Sequence, residues 1–594
     1  MPDTDETATG GALAGGRQAA VRLILTYVGD DVQVVAQRRL THVLPPTDPL
    51  EFAERSTGFR VEVRSADGRL RYVRLMRDPR RQTLEVPPED AAGTFQQADV
   101  ARPRGTFAVL VPDLEGPHDV VVVDRTAAAG TLQLRSDELA RFALRQDGPA
   151  APFAAPAAPM SACNRVRRTT KIVNSGPDAH RWNVVILAEG YRSDELDSFG
   201  TRARELADHL LRTPPFDQLA DAINVHRIDV ESCESGADHP GGCDDGVEVD
   251  TYFDATFCGS EDWPERLLVV DTSKVIAVLE HEVAHWDVGL VIVNTPVRGG
   301  SGDDLIPVAS AGSGFDVALH EIGHSAFGLA DEYDYKFGPD DDRDFGVPDR
   351  RRYDGPEPQE PNLTVSTIRS ESKWTHLIPR GSELPTTEKA DCERSDWGDG
   401  SPVPAGTVGL FEGAGYHRCG LYRPEFNCKM RMSRAPFCAV CSEHIRTTLW
   451  PFLEPVVVPD VVGMREAAAM TALEEASLKG RVGRRRLSDR PQGEVILQLP
   501  RAERRVFKGT TVTINVSLGE RDPIEQSRVP NVVGMSNETA TAALHAEGFT
   551  TSLAFGESSR PFGEVIGQQP NGGARVPPGS NVHLVASRGV GDIK

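Results

Sequence analysis

With 594 residues the chain has room for about four domains of roughly 150 residues each. Its 39% apolar and 26% charged residues are the composition of folded protein, not of a disordered chain. Sixty-five Lys and Arg against 88 Asp and Glu leave a net charge of −23, which argues against a nucleic-acid binder or a protein docked on anionic lipid, since both need a basic face. No apolar run reaches the roughly 18 residues of a membrane helix. The opening MPDTDETATGGALAGG lacks the basic start and apolar core of a secretory signal. Nine Cys is not a disulfide-dense composition, and the odd count leaves at least one unpaired in a monomer.

Residues 20 to about 136 read as short strands. VRLILTYVGDDVQVVAQ and FRVEVRSADGRLRYVRLM alternate around Asp/Gly turns, and GTFAVLVPDL, HDVVVVDR and GTLQLRS follow closely. This spacing predicts an antiparallel β-sandwich over 20–145. Residues 146–162, rich in Pro and Ala, predict a linker. From 163 to 454 strands and helices alternate in an α/β pattern. WNVVILAEGY, INVHRIDV, RLLVV and DVGLVIVNT read as strands, while SDELDSFGTRARELADHLLRT, SKVIAVLEHEVAH and FDVALHEIGHSAFGLA read as helices. The polar stretch after 336 reads as an exposed loop or insertion.

The C-terminal part repeats itself. VPDVVGM from Val458 recurs as VPNVVGM from Val529, an offset of 71, and PQGEVILQLP from Pro491 recurs as PFGEVIGQQP from Pro561, an offset of 70. The one-residue drift predicts a loop of variable length. Each copy reads as a small α+β unit, at 455–520 and 528–590. The pair resembles the PASTA modules of penicillin-binding proteins and bacterial Ser/Thr kinases. That resemblance implies an extracellular or cell-wall setting and peptidoglycan as a partner, with a spacer role as the plain alternative.

His-Glu-x-x-His occurs twice, at 281–285 and at 320–324. Residues i and i+4 share one helix face, so two imidazoles can reach one Zn²⁺ while the Glu holds the metal-bound water. Context separates the two. After His285 the chain turns into a strand, so the first motif reads as a helix facing solvent or a polar seam. After His324, Gly328 can end the helix in a left-handed turn and Asp331 can return as a third ligand.

The run HEIGHSAFGLADEY from His320 resembles the active-site pattern of the IgA metallopeptidases, metallopeptidase family sixty-four, which are metzincin-like. Glu189-Gly190-Tyr191, ESCESGADHP from Glu231, RGGSGDD from Arg298 (as an edge strand ahead of the helix), LFEGAGYHRCGLYRPEFNCKMR from Leu410 and FCAVC from Phe437 are similar as well. The resemblance spans roughly residues 20 to 450. It implies a zinc-dependent endopeptidase in which His320, His324 and Asp331 bind one Zn²⁺, with Glu332 as the alternative third ligand. Glu321 would be the general base that activates the zinc-bound water against the peptide bonds of protein or peptide substrates. It also implies a methionine turn, assigned to Met430 with Met432 second. Tyr333, Tyr416 and Tyr422 are candidate oxyanion donors, although each also reads as structural.

Cys419, Cys428, Cys438 and Cys441 cluster within 23 residues. A bridge or buried free thiols fit them better than a second, structural zinc. One disulfide is expected among Cys233, Cys243 and Cys258 if the protein is exported. Asp340 to Asp344 lacks the calcium-loop spacing and reads as a solvated loop. The whole predicts a multidomain protein, with an N-terminal antiparallel β-sandwich, a central α/β metzincin-like zinc peptidase domain and two small α+β PASTA-like repeats. It is expected to be secreted or wall-associated, to bind no nucleic acid and to span no membrane. A muropeptide amidase and a non-catalytic wall-binding protein are the alternatives.

Overall fold

The computed structural model describes residues 17–45, 47, 58–86, 96–127, 134–144, 163–239, 246–257, 267–303, 305–334, 352–392, 400–453, 455–520 and 526–589. The Pro/Ala-rich stretch 146–162, the acidic run 340–344, Cys243 and Cys258 lie outside them. The chain divides into two compact units, the boundary in sequence falling between 454 and 455. No described helix is long and apolar enough to cross a membrane.

The first unit opens with a hairpin. β1 (Arg17–Val28) and β2 (Asp31–Val43) run antiparallel, and Gly29 takes the left-handed φ of 59° that suits so short a turn. The next strands are β3 (Gly58–Ser65), β4 (Leu70–Leu75), β5 (Arg81–Val86), β6 (Gln96–Ala101), β7 (Arg104–Pro112), β8 (His118–Ala127) and β9 (Leu134–Ala143). They form an antiparallel sheet β2-β1-β7, a second antiparallel sheet β4-β3-β8-β9 and a separate β5-β6 pair. Leu23, Leu25 and Val109 from the first sheet share one core with Val61, Val63, Val120 and Val122 from the second. A strand with one face in such a core normally turns its other face to water. β1 instead buries Ala20, Arg22 and Ile24 on that face too.

That second face is where the front sheets dock. Arg22 Nη1 pairs with Glu280 Oε1 at 3.0 Å and donates to the carbonyl of Ala284 at 3.0 Å. Its guanidinium lies 4.6 Å from the centre of the Trp286 ring, and Trp286 Nε1 donates to the same Glu280 oxygen at 2.8 Å. Arg38 also pairs with Glu280, and His42 with Asp287.

Next comes a mixed six-stranded sheet in the order β10-β12-β11-β15-β17-β16. Its strands are β10 (Arg165–Val173), β11 (Trp182–Glu189), β12 (Ile223–Glu231), β15 (Val288–Val293), β16 (Gly300–Asp303) and β17 (Ile306–Ser310); β13 (Thr256–Phe257) and β14 (Leu268–Val269) form a separate short pair. The four central strands are parallel and both end strands antiparallel. β11, β12, β15 and β17 are buried along their whole length, as strands of a covered parallel sheet should be, although β12 (INVHRIDVE) buries polar and charged residues as well. β10 was not foreseen: RVRRTTKIV carries four basic residues, yet Arg165 and Arg168 pair with Glu231 and Asp229 of the neighbouring strand. Helix α1 (Leu196–Arg212) links β11 to β12, α2 (Thr272–Glu282) precedes β15, and α3 (Phe315–Phe327) follows β17. The hairpin of β18 (Phe411–Ala414) and β19 (His417–Arg423) and helix α4 (Ala439–Leu449) complete the unit. A disulfide joins Cys163, ahead of β10, to Cys233, beyond β12. Cys233 therefore takes a partner outside the trio expected from spacing.

The first His-Glu-x-x-His is not helical throughout. α2 stops at Glu282, its C-cap Val283 is extended, and His285 lies beyond the last turn. The expected helix over 273–285 is thus shorter, and its two imidazoles do not share a face. His281 is exposed, Glu282 accepts from Thr169 Oγ1, and His285 packs 5.6 Å from the His42 ring.

In the second unit each repeat builds one helix, α5 (Glu466–Glu475) or α6 (Asn537–Ala546), over a three-stranded sheet. In the first copy that sheet is β21 (Lys479–Arg486), β24 (Thr511–Ser517) and β22 (Val495–Leu499). In the second it is β26 (Thr550–Gly556), β29 (Asn581–Ser587) and β27 (Val565–Gln569). The short pairs β20 (Pro455–Val457) with β23 (Arg505–Phe507), and β25 (Ser527–Arg528) with β28 (Arg575–Val576), close them. The cores correspond residue for residue, Val461, Ala469, Leu473 and Ile514 matching Val532, Ala540, Leu544 and Leu584. The repeated Gln is explained by its bonds. Gln498 accepts from Val461 N–H at 2.8 Å and donates to Pro459 O at 3.0 Å, and Gln568 does the same with Val532 and Pro530. The extra residue of the first copy sits in a strand, not in a loop as expected. β21 bulges between Val482 and Arg485 against β24, whereas β26 pairs with β29 without a break.

Two substitutions check the seam reading together. Glu282→Gln is expected to leave unfolding, metal content and any hydrolysis unchanged. Arg22→Ala, which strips a buried carboxylate of its main partner, is expected to cost about 3 kcal/mol in denaturant unfolding.

Candidate metal centre

Helix α3 is buried on nearly every side, with His320, Glu321 and His324 all inside. It packs on β15, β16 and β17. Gly328 ends it at φ 60°, its N–H closing on Gly323 and His324 carbonyls, and this left-handed residue turns the chain back toward the helix. Asp331 arrives beside the two imidazoles. His320 Nε2 and His324 Nε2 are 3.0 Å apart, and Asp331 Oδ1 lies 3.4 and 3.3 Å from them.

The far side of each ring decides what faces the centre. His320 Nδ1 lies 2.9 Å from the Lys429 carbonyl and His324 Nδ1 lies 2.7 Å from the Leu329 carbonyl. A carbonyl only accepts, so His320 Nδ1 carries the proton and its Nε2 presents a lone pair inward; His324 Nδ1 also lies 3.0 Å from the donor Arg77 Nη2, so the Leu329 carbonyl does not by itself set that ring's tautomer. Asp331 adds a carboxylate oxygen. Three ligand-type atoms thus meet at 3.0 to 3.4 Å in residues no more than 4% exposed, an arrangement that needs a proton or a metal cation among them. A tetrahedral zinc with nitrogen and oxygen ligands at about 2.0 Å keeps such atoms about 3.3 Å apart, so the donor set fits the ion.

The hydrogen bonds around Asp331 hold it in position. Its Oδ2 accepts from the Tyr416 hydroxyl. Gly415 N–H donates to Asp331 O and Tyr416 N–H to Tyr333 O, each at 3.0 Å, so the β18–β19 turn is laced to the Asp331 segment. Both turn residues have positive φ, 54° at Gly415 and 69° at Tyr416, and a tyrosine held there is a strained residue at a site. Asn362, fully buried, donates to Ala330 O and accepts from Ala330 N–H, both at 2.8 Å. Nothing in its sequence context (Glu-Pro-Asn-Leu-Thr) marks it out.

Glu321 points toward strand β16. A Cβ on Gly302 would lie 2.8 Å from Glu321 Oε2 and 3.2 Å from the His324 Cβ, so this edge strand needs glycine there. Met430 is fully buried under α3, where a Cβ on Gly323 would come within 2.7 Å of its sulfur, while Met432 is 38% exposed. Glu332 turns the opposite way from Asp331. Its Oε1 lies 3.0 Å from Asn362 Nδ2 and 3.2 Å from Cys441 Sγ, away from the imidazoles. Burial and the Cys428 sulfur hold this carboxyl well above the ordinary range, against the hydrogen bonds from Asn362 and Cys441. Cys419 is bonded to Cys392, and Cys428, Cys438 and Cys441 are buried free thiols.

The Glu189-Gly190-Tyr191 run is scaffold. Glu189 ends β11 and accepts from Phe253 and Ala255 N–H, and burial pushes its carboxyl up to about 7 in spite of them. At Gly190, φ is 67° and a Cβ would collide with the Gly236 carbonyl. Lys429, whose carbonyl steadies His320, is itself anchored by its ammonium to Asp316 at 2.8 Å. Burial would raise the Asp316 carboxyl, but Lys429 and His209 outweigh it and hold it below the usual carboxylate value.

A cavity of about 1150 Å³ is lined by front-sheet residues, including Phe59, Arg77 and Asp124, and by His324, Asp331 and Tyr416. Arg77 Nη2 donates to Leu329 O at 3.0 Å, sharing the carbonyl that orients His324. It reaches the site from the front sheets, far from the motif in sequence.

Residues 170–398 and 399–449 match the family model for IgA Peptidase M64, and residues 456–518 and 527–588 match the PASTA domain. Among curated proteins, a probable serine/threonine-protein kinase of Clostridium acetobutylicum is 32% identical over 136 residues, which cover 23% of this chain and 20% of the kinase. The serine/threonine-protein kinase PknB of Mycobacterium leprae is 36% identical over 118 residues, 20% of this chain and 18% of the kinase. The chain thus spans about a fifth of the length of these relatives. The solved extracellular region of the Ser/Thr kinase PrkC from Staphylococcus aureus is 25% identical, covering 24% of this chain and 50% of its own, with a TM-score of 0.12.

The seat of Met430 under α3 yields a stability test. Ala is favoured over Gly inside a helix by about 1 kcal/mol. Gly323→Ala is nevertheless expected to destabilise by about 1 kcal/mol, because overpacking of about 1–3 kcal/mol against a fully buried Met outweighs that gain. Denaturant unfolding reads the sign.

Proposed function

We propose that this chain, which over residues 170–449 belongs to the IgA peptidase M64 family and then carries two PASTA domains, is a zinc-dependent endopeptidase acting on protein substrates outside a bacterial cell. The observation that carries the reading is the convergence of His320 Nε2, His324 Nε2 and Asp331 Oδ1 in a buried site, with Glu321 on the same helix. In this reading the two front sheets are a β-sandwich over 20–145, joined by the linker 146–162 to a metzincin-like catalytic domain over 163–454. The modules occupy 455–520 and 528–590.

A zinc ion held by those three atoms supplies Lewis acidity to a water and to the scissile carbonyl oxygen. The protein's own groups do the rest. Glu321 takes a proton from the attacking water and hands it to the leaving nitrogen. Tyr416 and Asn362 are positioning residues that hold Asp331 and its segment. The cavity walled by His324, Asp331 and Tyr416 admits the peptide. Asp331 is the third ligand in preference to Glu332, whose carboxylate is turned to the sulfur cluster.

The tandem PASTA domains favour peptidoglycan as a binding partner and a wall-associated location, and they keep muropeptide amidase chemistry as the second reading. Digestion of a proteome-derived peptide library beside purified peptidoglycan separates the two. Glu321→Gln is expected to keep its zinc and lose hydrolysis by at least about 100-fold; turnover within tenfold of the parent rejects it as base. Asp331→Ala is expected to weaken zinc binding by more than about 100-fold, read by competition with a chromophoric chelator. Unchanged affinity moves the third ligand elsewhere.

A further inference from the structure

Behind the candidate centre lies a second group of ligand atoms. Glu332, Cys428, Cys438 and Cys441 are all buried, and one donor atom from each falls within 4.8 Å of the others. Cys428 Sγ and Cys441 Sγ are 3.8 Å apart. Glu332 Oε1 lies 3.7 Å from Cys438 Sγ and 3.2 Å from Cys441 Sγ.

Two bland readings are a disulfide and a patch of core thiols. A disulfide needs sulfurs about 2.05 Å apart, and 3.8 Å is far outside that. A core patch explains the sulfurs but not the carboxylate. Glu332 is fully buried, and among the described residues no hydrogen bond reaches its Oε2. A carboxylate placed against three thiols, with an oxygen left without a hydrogen bond, is costly burial unless something else binds there.

The spacings suit a metal. With zinc–sulfur distances of about 2.3 Å and zinc–oxygen of about 2.0 Å, a tetrahedral ion sets sulfurs about 3.8 Å apart and sulfur–oxygen pairs about 3.5 Å apart. The backbone is arranged for thiolates as well. Cys438 N–H points at Cys428 Sγ at 3.2 Å, and Cys441 N–H at Cys438 Sγ at 3.3 Å. Cys438 is the N-cap of α4, so two of the sulfurs sit at the positive end of a helix. The Arg423 guanidinium, fully buried nearby, bears on Glu332.

We infer that Glu332, Cys428, Cys438 and Cys441 form a closed structural zinc site, distinct from the centre at His320, His324 and Asp331. Binding replaces each S–H by an S–Zn bond and releases that proton to solvent, with no change of oxidation state. The site joins three segments. Glu332 follows Asp331, Cys428 lies two residues before Met430, and Cys438 and Cys441 open α4. Glu332 N–H also donates to Met430 O at 2.8 Å. The second ion thereby fixes the floor and the third ligand of the first centre.

The test uses the full chain with His320→Ala and His324→Ala combined, which removes the first centre and leaves the second intact. Metal analysis of this variant is expected to give one zinc per chain. Replacing that zinc with cobalt is expected to produce the near-ultraviolet thiolate-to-cobalt charge-transfer band together with the visible bands of a tetrahedral ion. Titrating its thiols with a mercurial is expected to release that zinc. Glu332→Gln, a conservative change, is expected to keep the fold by circular dichroism and bind zinc at least tenfold more weakly. A double-His variant that purifies without metal and gives no thiolate band after adding cobalt overturns the proposal, as does peptide mapping that finds a disulfide among the three cysteines. The peptidase reading fails separately: parent protein holding a single zinc that survives the two His substitutions would sink the first centre and keep this one.

Discussion

Ligand-type atoms forced together away from water are the constraint around which the candidate centre is built. His320 Nε2, His324 Nε2 and Asp331 Oδ1 face each other at 3.0 to 3.4 Å. Such a cluster pays for itself only with a cation present, and until then it has to be braced. The bracing is largely backbone. The Lys429 and Leu329 carbonyls lie against the outer nitrogens of the two imidazoles, and the β18–β19 turn bonds to Asp331 and Tyr333 through main-chain groups. Backbone partners suit this task because they lose less conformational freedom than a long side chain and cannot change protonation state.

The Asp331-Glu332-Tyr333 run places three consecutive residues in three different environments. Asp331 faces the imidazoles, Glu332 faces the sulfurs, and Tyr333 packs edge-on to Tyr416 with ring centres 5.1 Å apart. Consecutive residues of this irregular segment point to different sides, so one stretch of chain between two polar clusters serves both. The motif's two carboxylates are therefore not rivals for one ligand position. Their alternation also explains why residues remote in sequence are drawn in: Asn362 donates to Glu332, and the positive charge of Arg423 bears on the same carboxylate.

The twin His-Glu-x-x-His motifs show how far a pattern of letters can be trusted. Helical spacing puts i and i+4 on one face only if the helix continues. α2 ends at Glu282, so the first pair is separated by a change of backbone. The buried carboxylate just ahead of that motif is Glu280, which anchors Arg22 and Trp286. α3 differs in that its apolar residues surround the motif and Gly328 terminates it after a further turn. Following context pointed to the second motif, and only there do the two imidazoles come together. The early end of α2 was not legible, because it is set by tertiary contacts to the front sheets and not by a Gly or Pro in the sequence.

What could be read in the letters was whatever is local or periodic: the parallel strands β11 and β15 as apolar runs, α3 and its glycine stop, the edge strand before it, and the duplicated tail. What could not be read depends on partners distant in the chain. β10 carries charges that find acids on β12, Cys233 pairs with Cys163, and Arg77 crosses from the front sheets to the Leu329 carbonyl. The tail adds a subtler case. A one-residue difference between copies is most cheaply housed in a loop, yet here it lies in β21, where Gly483 and Arg484 fall between the paired residues Val482 and Arg485. Asn515 accepts from the Arg484 N–H at 3.0 Å and so recovers a hydrogen bond that the bulge would otherwise lose. Gly483 helps because a Cβ there would meet the Thr513 methyl at 2.6 Å. A neighbouring asparagine and a glycine are thus what allow the first repeat to keep the same core as the second with a different strand length.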